Sequence, residues 1–403
     1  MAKLDISARA KSINPSPTIG VSSKVKKMIR SGIDVVDFGV GEPDFDTPDY
    51  IKEEGIRAIK EGFTKYTPSS GTLEVKEAIA AKLKRDNGLD YSVDEVIVSC
   101  GAKHSLYNSV TVLCDEGDEV VIPSPYWATY PEQVRLAGAE PVFVTTAKEE
   151  SFNLKADAVA EAVTARTKLM IINSPNNPTG AVYDRKELEK IADLALKRGF
   201  YIISDEIYED LIYTGQKNTS IAALSPDVKK QTITINGFSK SFAMTGWRLG
   251  YAAAPKEIVA AMSRLQDQVT SNPTSFVQRA AVEALGNPVG KKTIKDMAAE
   301  FDRRRKYLIN RLNSMKYVES PTPEGAFYAF PDVSRCFGLK HKGVAIDDSF
   351  AMADYLLEEG KVGLVPGGAF GDDRCLRISY ATSMVNIEKG MNRMEEALLK
   401  LRG

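Results

Sequence analysis

Short runs of β-branched and other apolar residues alternate with helical patterns through the middle of the chain. Strands that are separated by helix-length segments are typical of a parallel sheet with helices packed on its faces. The chain is therefore predicted to be an α/β protein with a mostly parallel sheet flanked by helices. The predicted strands lie at residues 96–98, 120–122, 142–144, 169–172, 201–203 and 232–235.

One helix in this region is marked at both ends. Asp184 and Glu187 have the spacing of a capping box, although Asp replaces the usual Ser or Thr, and Gly199 has the place of a C-cap glycine. The pattern therefore predicts a helix over residues 184–197. Its apolar residues follow the spacing of one helix face: Leu188, Ile191, Ala192 and Ala195.

The pattern changes after residue 286, which indicates a second, smaller α+β domain. A long helix is predicted at 291–312, and shorter strands are predicted at 326–330 and 376–380. The N-terminal segment is expected to pack with this second domain. The predicted boundaries are 46–289 for a large domain, and 1–45 together with 290–403 for the small domain.

The charge balance argues against a nucleic acid or a membrane surface as partner. The chain has 53 Lys and Arg against 54 Asp and Glu, so there is no overall basic excess. The basic run at 303–306 is predicted to be a solvated face of the long helix. No apolar run approaches the roughly 18 residues that span a bilayer. The first residues lack the apolar core of a signal peptide, so a cytoplasmic location is expected.

The small number of histidines and cysteines limits the chemistry. There are two histidines and four cysteines, and no two cysteines form a Cys-x-x-Cys pair. A zinc site or a disulfide framework is therefore not expected. Acid and base chemistry is expected to fall to lysine, tyrosine or carboxylate side chains.

Small, aromatic and amide residues follow the first strands of the predicted sheet, where ligands bind in open α/β folds. Gly101, Ala102 and Lys103 open a helix and could bring backbone N–H groups to a phosphate, although many such turns look similar. Trp127 could stack on a planar ring or pack in the core. Asn177 lies in a turn with two prolines, which is either an ordinary turn or a rigid support for the amide.

Charged residues follow the later strands. Asp205 comes directly after an apolar run, where a carboxylate needs a cation such as a protonated ring nitrogen, unless it is an ordinary N-cap. Lys240 follows the last run, and burial could leave its amine neutral and able to attack a carbonyl. Arg248 could bind a phosphate through two hydrogen bonds. A surface lysine and a structural arginine are the alternatives, but one crevice that explains five strand ends favours the functional interpretation.

Three stretches resemble the signatures of class I aminotransferases, which are fold-type I enzymes that use pyridoxal 5′-phosphate (PLP). They are SPNNPTG at 174–180, SDEIY at 204–208 and SKSFAMTGWRLGY at 239–251. The resemblance extends from PSPT at 15–18 to RISYAT at 377–382, so it covers nearly the whole chain. Within the family, the chain is most similar to bacterial aspartate aminotransferases of the branch that includes aspartate/prephenate aminotransferases.

The resemblance implies a position for each part of the cofactor. PLP would be bound to Lys240 through a Schiff base, and Asp205 would pair with the pyridine nitrogen. Asn177 and Tyr208 would form hydrogen bonds to the phenolic oxygen of the ring, and Trp127 would stack on one of its faces. Arg248, Ser239 and the backbone of 101–103 would hold the phosphate. Tyr66 resembles a tyrosine that reaches the phosphate of the neighbouring subunit, which implies a homodimer with shared active sites.

The resemblance also implies how a substrate would bind. Arg377 would hold the α-carboxylate of an amino acid, with help from Asn177, Trp127 and the backbone at Gly41. Lys240 would transfer a proton to and from the substrate Cα, and the amino group would pass to a 2-oxo acid in a ping-pong reaction. The substrates are therefore expected to be amino acids and 2-oxo acids.

One departure from the family pattern bears on the choice of substrate. Better-known aspartate aminotransferases bind the side-chain carboxylate with an arginine of the partner subunit, and residues 271–275 have no arginine. In the branch that this chain resembles, a lysine takes that role, and Lys103 matches it. Thr18 matches a threonine of prephenate-accepting members. L-Aspartate and 2-oxoglutarate are the expected substrates, with prephenate as a further acceptor. An aminotransferase for aromatic or other neutral amino acids is the alternative.

Overall fold

The computed structural model describes residues 5–11, 13–14 and 17–403. In these residues the helices are α1 (Ala8–Lys11), α2 (Pro17–Arg30), α3 (Asp49–Lys60), α4 (Leu73–Lys82), α5 (Ala102–Leu113), α6 (Thr129–Leu136), α7 (Ala156–Ala162), α8 (Arg185–Arg198), α9 (Pro226–Lys230), α10 (Lys256–Val269), α11 (Ser275–Gly286), α12 (Pro288–Ser314), α13 (Ser349–Glu359) and α14 (Met384–Leu398). The strands are β1 (Val36–Asp37), β2 (Val96–Ser99), β3 (Glu119–Ser124), β4 (Glu140–Thr145), β5 (Thr167–Asn173), β6 (Tyr201–Asp205), β7 (Thr232–Gly237), β8 (Gly250–Ala253), β9 (Tyr328–Ala329), β10 (Lys340–His341), β11 (Val344–Ala345), β12 (Val362–Gly363), β13 (Val365–Pro366) and β14 (Leu376–Ser379).

A seven-stranded sheet forms the centre of the molecule, in the order β2-β8-β7-β6-β5-β3-β4. Only β8 runs antiparallel to its neighbours in this sheet. The six predicted strands all lie within strands of this sheet, so the predicted α/β class with a mostly parallel sheet is confirmed. The central strands β5 and β7 are buried along almost their whole length, whereas the edge strand β4 is largely exposed or half-buried. Helices on both faces explain why the inner strands are apolar throughout rather than alternating.

The antiparallel strand β8 was missed by the sequence analysis because it has no β-branched residue and, apart from Tyr251, consists of glycine and alanine. Gly250 is required by packing, since a Cβ atom there would clash with the backbone nitrogen of Ala102. The first turn of α5 therefore lies directly against the sheet. This contact places the N-terminus of α5 at the edge where the parallel strands end.

The C-terminal part of the chain forms smaller sheets around α12. Strands β13, β14 and β9 form an antiparallel sheet, and β1 pairs in parallel with β12. The N-terminal segment therefore packs with the C-terminal part at this strand pair. The predicted division of the chain near residues 46 and 290 stays a prediction. One face of α12 packs in this core through Met297, Phe301, Leu308 and Leu312.

Two local predictions were wrong in part. The Asp184 side chain accepts a hydrogen bond from the backbone of Lys186, but Glu187 accepts one from Ala156 N instead of completing a capping box. In the basic run at 303–306, the outer two residues are exposed as predicted. Arg304 and Arg305 are buried instead, because acidic partners on α12 neutralise both guanidinium groups. Among the residues that the structure describes, no helix is long and apolar enough to cross a membrane.

Candidate active site

A cavity of about 880 Å³ lies at the carboxyl ends of the parallel strands. Strand ends from across the sheet contribute to its wall, as the sequence analysis expected. The small sheets contribute Arg377 on β14 and Tyr328 on β9. The predicted residues that line this cavity are Gly41, Ala102, Lys103, Trp127, Asn177, Asp205, Tyr208, Ser239, Lys240, Arg248 and Arg377.

Two of the predicted residues that the structure describes do not line the cavity. Gly101 lies behind it, in contact distance of Arg248. Tyr66 is 90% exposed and lies on the surface, so a contact between Tyr66 and a cofactor would have to be with the cofactor of another subunit. The backbone of Thr18 is in α2, but its side chain lies outside the described residues.

The Lys240 amine points into the cavity from the turn after β7. Its Nζ donates a hydrogen bond to the Gly41 carbonyl oxygen at 2.6 Å. Removal from water, together with the positive charges of Arg377 and Arg248, lowers the pKa of Lys240 to about 8. A substantial fraction of the amine is then neutral near pH 8, and a neutral amine is the form that attacks a carbonyl carbon.

Asp205 ends β6 at the floor of the cavity, where it is buried. Its Oδ2 accepts a hydrogen bond from the Tyr130 hydroxyl at 2.8 Å, and its Oδ1 accepts one from Ile207 N at 3.3 Å. Burial raises the pKa of Asp205 to about 6 in spite of these donors. A cation placed against this carboxylate would favour its charged form and so oppose the shift. The site therefore fits a ligand with a protonated ring nitrogen.

Tyr130 was missed by the sequence analysis. It lies three residues after Trp127, and the two rings meet edge to face at 5.5 Å. A buried tyrosine on a short amphipathic helix such as α6 usually belongs to the core, so the helical pattern does not indicate a contact with Asp205. The only indication in the sequence is that Tyr130 lies three residues after Trp127.

Asn177 is fixed by a second asparagine that the sequence analysis did not single out. The Asn173 side chain accepts a hydrogen bond from Asn177 N at 2.9 Å and donates one to the Asp205 carbonyl oxygen at 3.0 Å. One side chain thus connects the turn after β5 to the end of β6. The rigid turn predicted around Asn177 is present, and it holds the amide side chain beside Arg377.

Arg377 is a buried cation with the geometry of a carboxylate-binding residue. Its Nη1 donates to Asn177 Oδ1 at 3.2 Å and its Nη2 donates to the Gly39 carbonyl oxygen at 2.7 Å. The guanidinium carbon lies 4.7 Å from the ring centre of Tyr328 and 4.9 Å from that of Phe370. Among the described residues, none accepts a hydrogen bond from the buried Nε atom. Burial lowers the pKa of Arg377, and an anionic ligand would offset that cost.

The turn between β2 and α5 forms an anion-binding cradle. Gly101 has φ +92°, and a Cβ atom there would lie 2.5 Å from Nη2 of Arg248. The missing side chain lets the guanidinium approach the free N–H groups at the start of α5. The Ser239 hydroxyl lines the same cavity. These groups fit a phosphate, and with Lys240 and Asp205 they fit PLP as a whole. The described residues contain no cluster of three or more His, Cys, Asp or Glu side chains that could hold a metal ion.

The remaining cations lie toward the mouth of the cavity. Lys103 is exposed there, with its Nζ 4.7 Å from the ring centre of Trp127. Arg135 also lines the cavity, but its guanidinium pairs with Glu132 at 2.7 Å. Arg135 therefore already has an acidic partner, whereas Lys103 contacts an aromatic ring and is the more available cation at the mouth.

Comparisons with known proteins give a consistent result over almost the whole chain. Residues 33–394 match the family described as aminotransferase class I and II. A relative from Aquifex aeolicus (strain VF5), named "Probable aspartate/prephenate aminotransferase", is 47% identical over 98% of both chains. The aspartate aminotransferase from Rhizobium meliloti has a TM-score of 0.95 at 38% identity, covering 99% of this chain and 100% of the other. That from Thermus thermophilus, solved with maleate, has a TM-score of 0.93 at 41% identity, covering 98% and 100%.

Proposed function

The chain belongs to the class I and II aminotransferases, and from this premise we propose that it moves an amino group between L-aspartate, or a related acidic amino acid, and 2-oxoglutarate. PLP is the proposed cofactor, and prephenate is a proposed further acceptor. The observation that carries the proposal is the set of separate charges in one cavity. The cavity contains a lysine that can become neutral, a buried carboxylate and three cations. Each of these groups would bind one part of the cofactor or of the substrate.

Each part of PLP corresponds to groups of this chain. Arg248, Ser239 and the N-terminus of α5 would hold the phosphate, and Asp205 would face the ring nitrogen. Trp127 and Tyr208 line the cavity where the ring would lie. When bound, PLP supplies a carbonyl that combines with amines and a ring that withdraws electrons from the substrate Cα.

The protein's own groups then have distinct tasks. Lys240 in its neutral form would hold and later release the cofactor, and its freed amine would carry a proton to and from the substrate Cα. A pKa near 8 suits this task because the amine can both accept and donate a proton near neutral pH. Asp205, kept charged by a ring cation, would hold the proton on that ring nitrogen. Tyr208 would direct its hydroxyl toward the phenolic oxygen.

The substrate class is inferred by assigning each cation of the cavity to one anionic group of the cofactor or the substrate. Arg248 is assigned to the phosphate and Arg377 to the α-carboxylate, which leaves Lys103 for a second carboxylate. Maleate is a dicarboxylate, and its presence in the related structure from Thermus thermophilus supports acidic substrates for this chain. The name of the relative from Aquifex aeolicus supports prephenate. The rival proposal, an enzyme for aromatic or neutral amino acids, leaves Lys103 without a substrate contact.

The proposed active enzyme is a homodimer in the cytoplasm. The 90% exposure of the Tyr66 side chain leaves it available for a contact with the partner's cavity. This arrangement would give each cavity a residue from both subunits.

Steady-state kinetics on a Lys103→Ala variant test the choice of substrate. A charge-assisted hydrogen bond contributes roughly 1.5–3 kcal/mol, and exposure of Lys103 favours the lower end. We expect kcat/KM to fall about tenfold for aspartate and 2-oxoglutarate, while phenylalanine and alanine change less than twofold. Lys103→Arg, which retains the charge, should keep most of the activity toward acids.

Arg135→Ala is the matched control, because it removes a cation from the same cavity that already pairs with Glu132. It should affect acidic and neutral substrates equally. The proposal for acidic substrates fails if Lys103→Ala reduces activity toward both classes by the same factor. A wild-type preference for phenylalanine over aspartate would instead favour the aromatic alternative.

A further inference from the structure

Two buried tyrosines meet at the inner wall of the cavity. The hydroxyl oxygens of Tyr208 and Tyr328 lie 2.9 Å apart, which is a hydrogen bond in which either group could donate. Both side chains are at most 3% exposed. Tyr328 was not identified from the sequence, where it belongs to an apolar run that predicts only a strand.

The position of Tyr328 is fixed by its strand. It lies on β9 and pairs in register with Ser379 of β14, the strand that also carries Arg377. The Arg377 guanidinium lies over the Tyr328 ring at 4.7 Å. A Cβ atom on Gly41 would lie 2.9 Å from the Tyr328 hydroxyl, and the carbonyl of Gly41 accepts the hydrogen bond from Lys240. Tyr328 thus lies between three groups that the proposed reaction uses.

The direction of the hydrogen bond decides where the Tyr208 proton points. A hydroxyl has one proton, so a Tyr208 that donates to Tyr328 has none to offer to a ligand in the cavity. If Tyr328 donates instead, the Tyr208 proton is free to turn into the cavity. Hydrogen bonds in such chains strengthen one another, so the Tyr208 hydroxyl also becomes a stronger donor.

We propose that Tyr328 is a positioning residue that donates its hydroxyl proton to Tyr208 and thereby turns the Tyr208 proton toward the bound cofactor. The inference rests on the proposed PLP function. The proposed contact of Tyr208 with the phenolic oxygen sets this direction. A Tyr208 hydroxyl that gives its one proton to the cofactor can only accept in the 2.9 Å hydrogen bond, so Tyr328 must donate there.

The test is a pH titration of the visible absorbance of the PLP-loaded protein, for which no turnover is needed. Tyr208→Phe removes the hydroxyl that would donate to the phenolic oxygen, so this variant measures the largest shift of the titration midpoint that loss of the donor can cause. We expect Tyr328→Phe to shift the midpoint in the same direction by about 0.5 pH unit, which corresponds to about 0.7 kcal/mol. The double variant should shift no further than Tyr208→Phe alone, because Tyr328 acts through Tyr208.

Tyr380→Phe is the matched control. Tyr380 is a fully buried tyrosine just after β14, and its hydroxyl donates to the Ala326 carbonyl oxygen at 3.3 Å rather than to a residue that lines the cavity. It should lower the melting temperature about as much as Tyr328→Phe and leave the titration unchanged. Since Tyr328→Phe keeps the ring beside Arg377, KM for the amino donor should change less than twofold.

Tyr328→His provides a second variant that keeps a ring with an N–H donor, and its midpoint should lie closer to that of the wild type than the Tyr328→Phe midpoint. A wild-type midpoint in Tyr328→Phe would overturn the inference, as would shifts that add in full in the double variant. A wild-type protein that takes up no PLP, and so has no visible band, would instead overturn the proposed function.

Discussion

Replacing Asp205 by asparagine should stabilise the cofactor-free protein, relative to the wild type, increasingly as the pH rises from about 4 to neutral, although the residue is central to the proposed activity. The carboxylate is buried, and its hydrogen-bond donors are Tyr130 and Ile207 N. Burial raises its pKa from 3.8 to about 6. Without PLP, the folded state holds a charge there that the unfolded state would hydrate. Asparagine keeps the size of the side chain and removes that charge.

The magnitude follows from the pKa difference. About two pH units at 1.36 kcal/mol each correspond to about 3 kcal/mol. Because the folded state binds the proton more tightly, the wild-type protein loses this stability as the pH rises from about 4 to about 6. At roughly 2.1 cal/mol/K per residue, unfolding a chain of 403 residues has an entropy near 0.85 kcal/mol/K. The expected difference in melting temperature is therefore about 3 °C.

Melting temperatures of the cofactor-free Asp205→Asn and wild-type proteins are compared from pH 4 to pH 8. The melting temperature of the variant minus that of the wild type should increase by about 3 °C from the low to the high end of this range. A difference caused by the amide itself would be the same at every pH and would not change this increase. Asp227→Asn is the control, since that exposed carboxylate has its pKa lowered by Lys230 and should show no such growth. Addition of PLP should favour the wild type, whose charged carboxylate then pairs with the ring nitrogen. A difference that stays constant or shrinks as the pH rises would refute the reasoning.

Three other substitutions test separate parts of the structure. Lys240→Ala should bind PLP without a covalent bond and should not turn over, and borohydride reduction followed by peptide mapping should label residue 240 in the wild type and no lysine in the variant. Co-expression of Tyr66→Ala with Lys240→Ala should restore about a quarter of wild-type activity, because half of the dimers then contain one intact cavity; no recovery would argue against a contribution in trans. Lys82→Met removes the cation that pairs with the buried Glu209, and the resulting loss of about 3–5 kcal/mol in the free energy of unfolding should lower the melting temperature by about 4–6 °C.

The sequence predicted the parts of the fold that depend on local pattern. Apolar runs of strand length identified six of the seven strands of the central sheet, and the topology of such sheets placed their carboxyl ends together. Strand β8 could not be predicted, because three of its four residues are glycine or alanine, which have low β propensity. Gly250 is required by the close approach of α5, a contact between segments about 150 residues apart in sequence. The buried Arg304 is a similar case, since one of its two acidic partners, Asp44, is remote in the chain.

The candidate site likewise contains residues that could be predicted from the sequence and residues that could not. Residues that follow a strand directly, such as Asp205 and Lys240, could be identified because their position in the chain also sets their position in the cavity. Tyr130 and Tyr328 act on other side chains rather than on a ligand, and each is embedded in an apolar pattern that core packing explains equally well. Nothing in a single sequence distinguishes a tyrosine whose hydroxyl meets a functional group from one whose hydroxyl meets a backbone carbonyl, as at Tyr380. The geometry of the folded chain is needed for that distinction.

The charges of the cavity share one property that links its electrostatics to the proposed function. Burial moves the pKa of Asp205 up and the pKa values of Lys240 and Arg377 down, so each of the three groups is shifted toward its neutral form. These opposing shifts mean that the three charges do not neutralise one another, even though Asp205 and Lys240 attract. A cationic ring nitrogen would stabilise Asp205, a covalent bond to the cofactor would use the neutral form of Lys240, and a carboxylate would stabilise Arg377. Ligands of this chemistry therefore relieve costs that the folded chain alone retains, and the cavity is complementary to them before they bind.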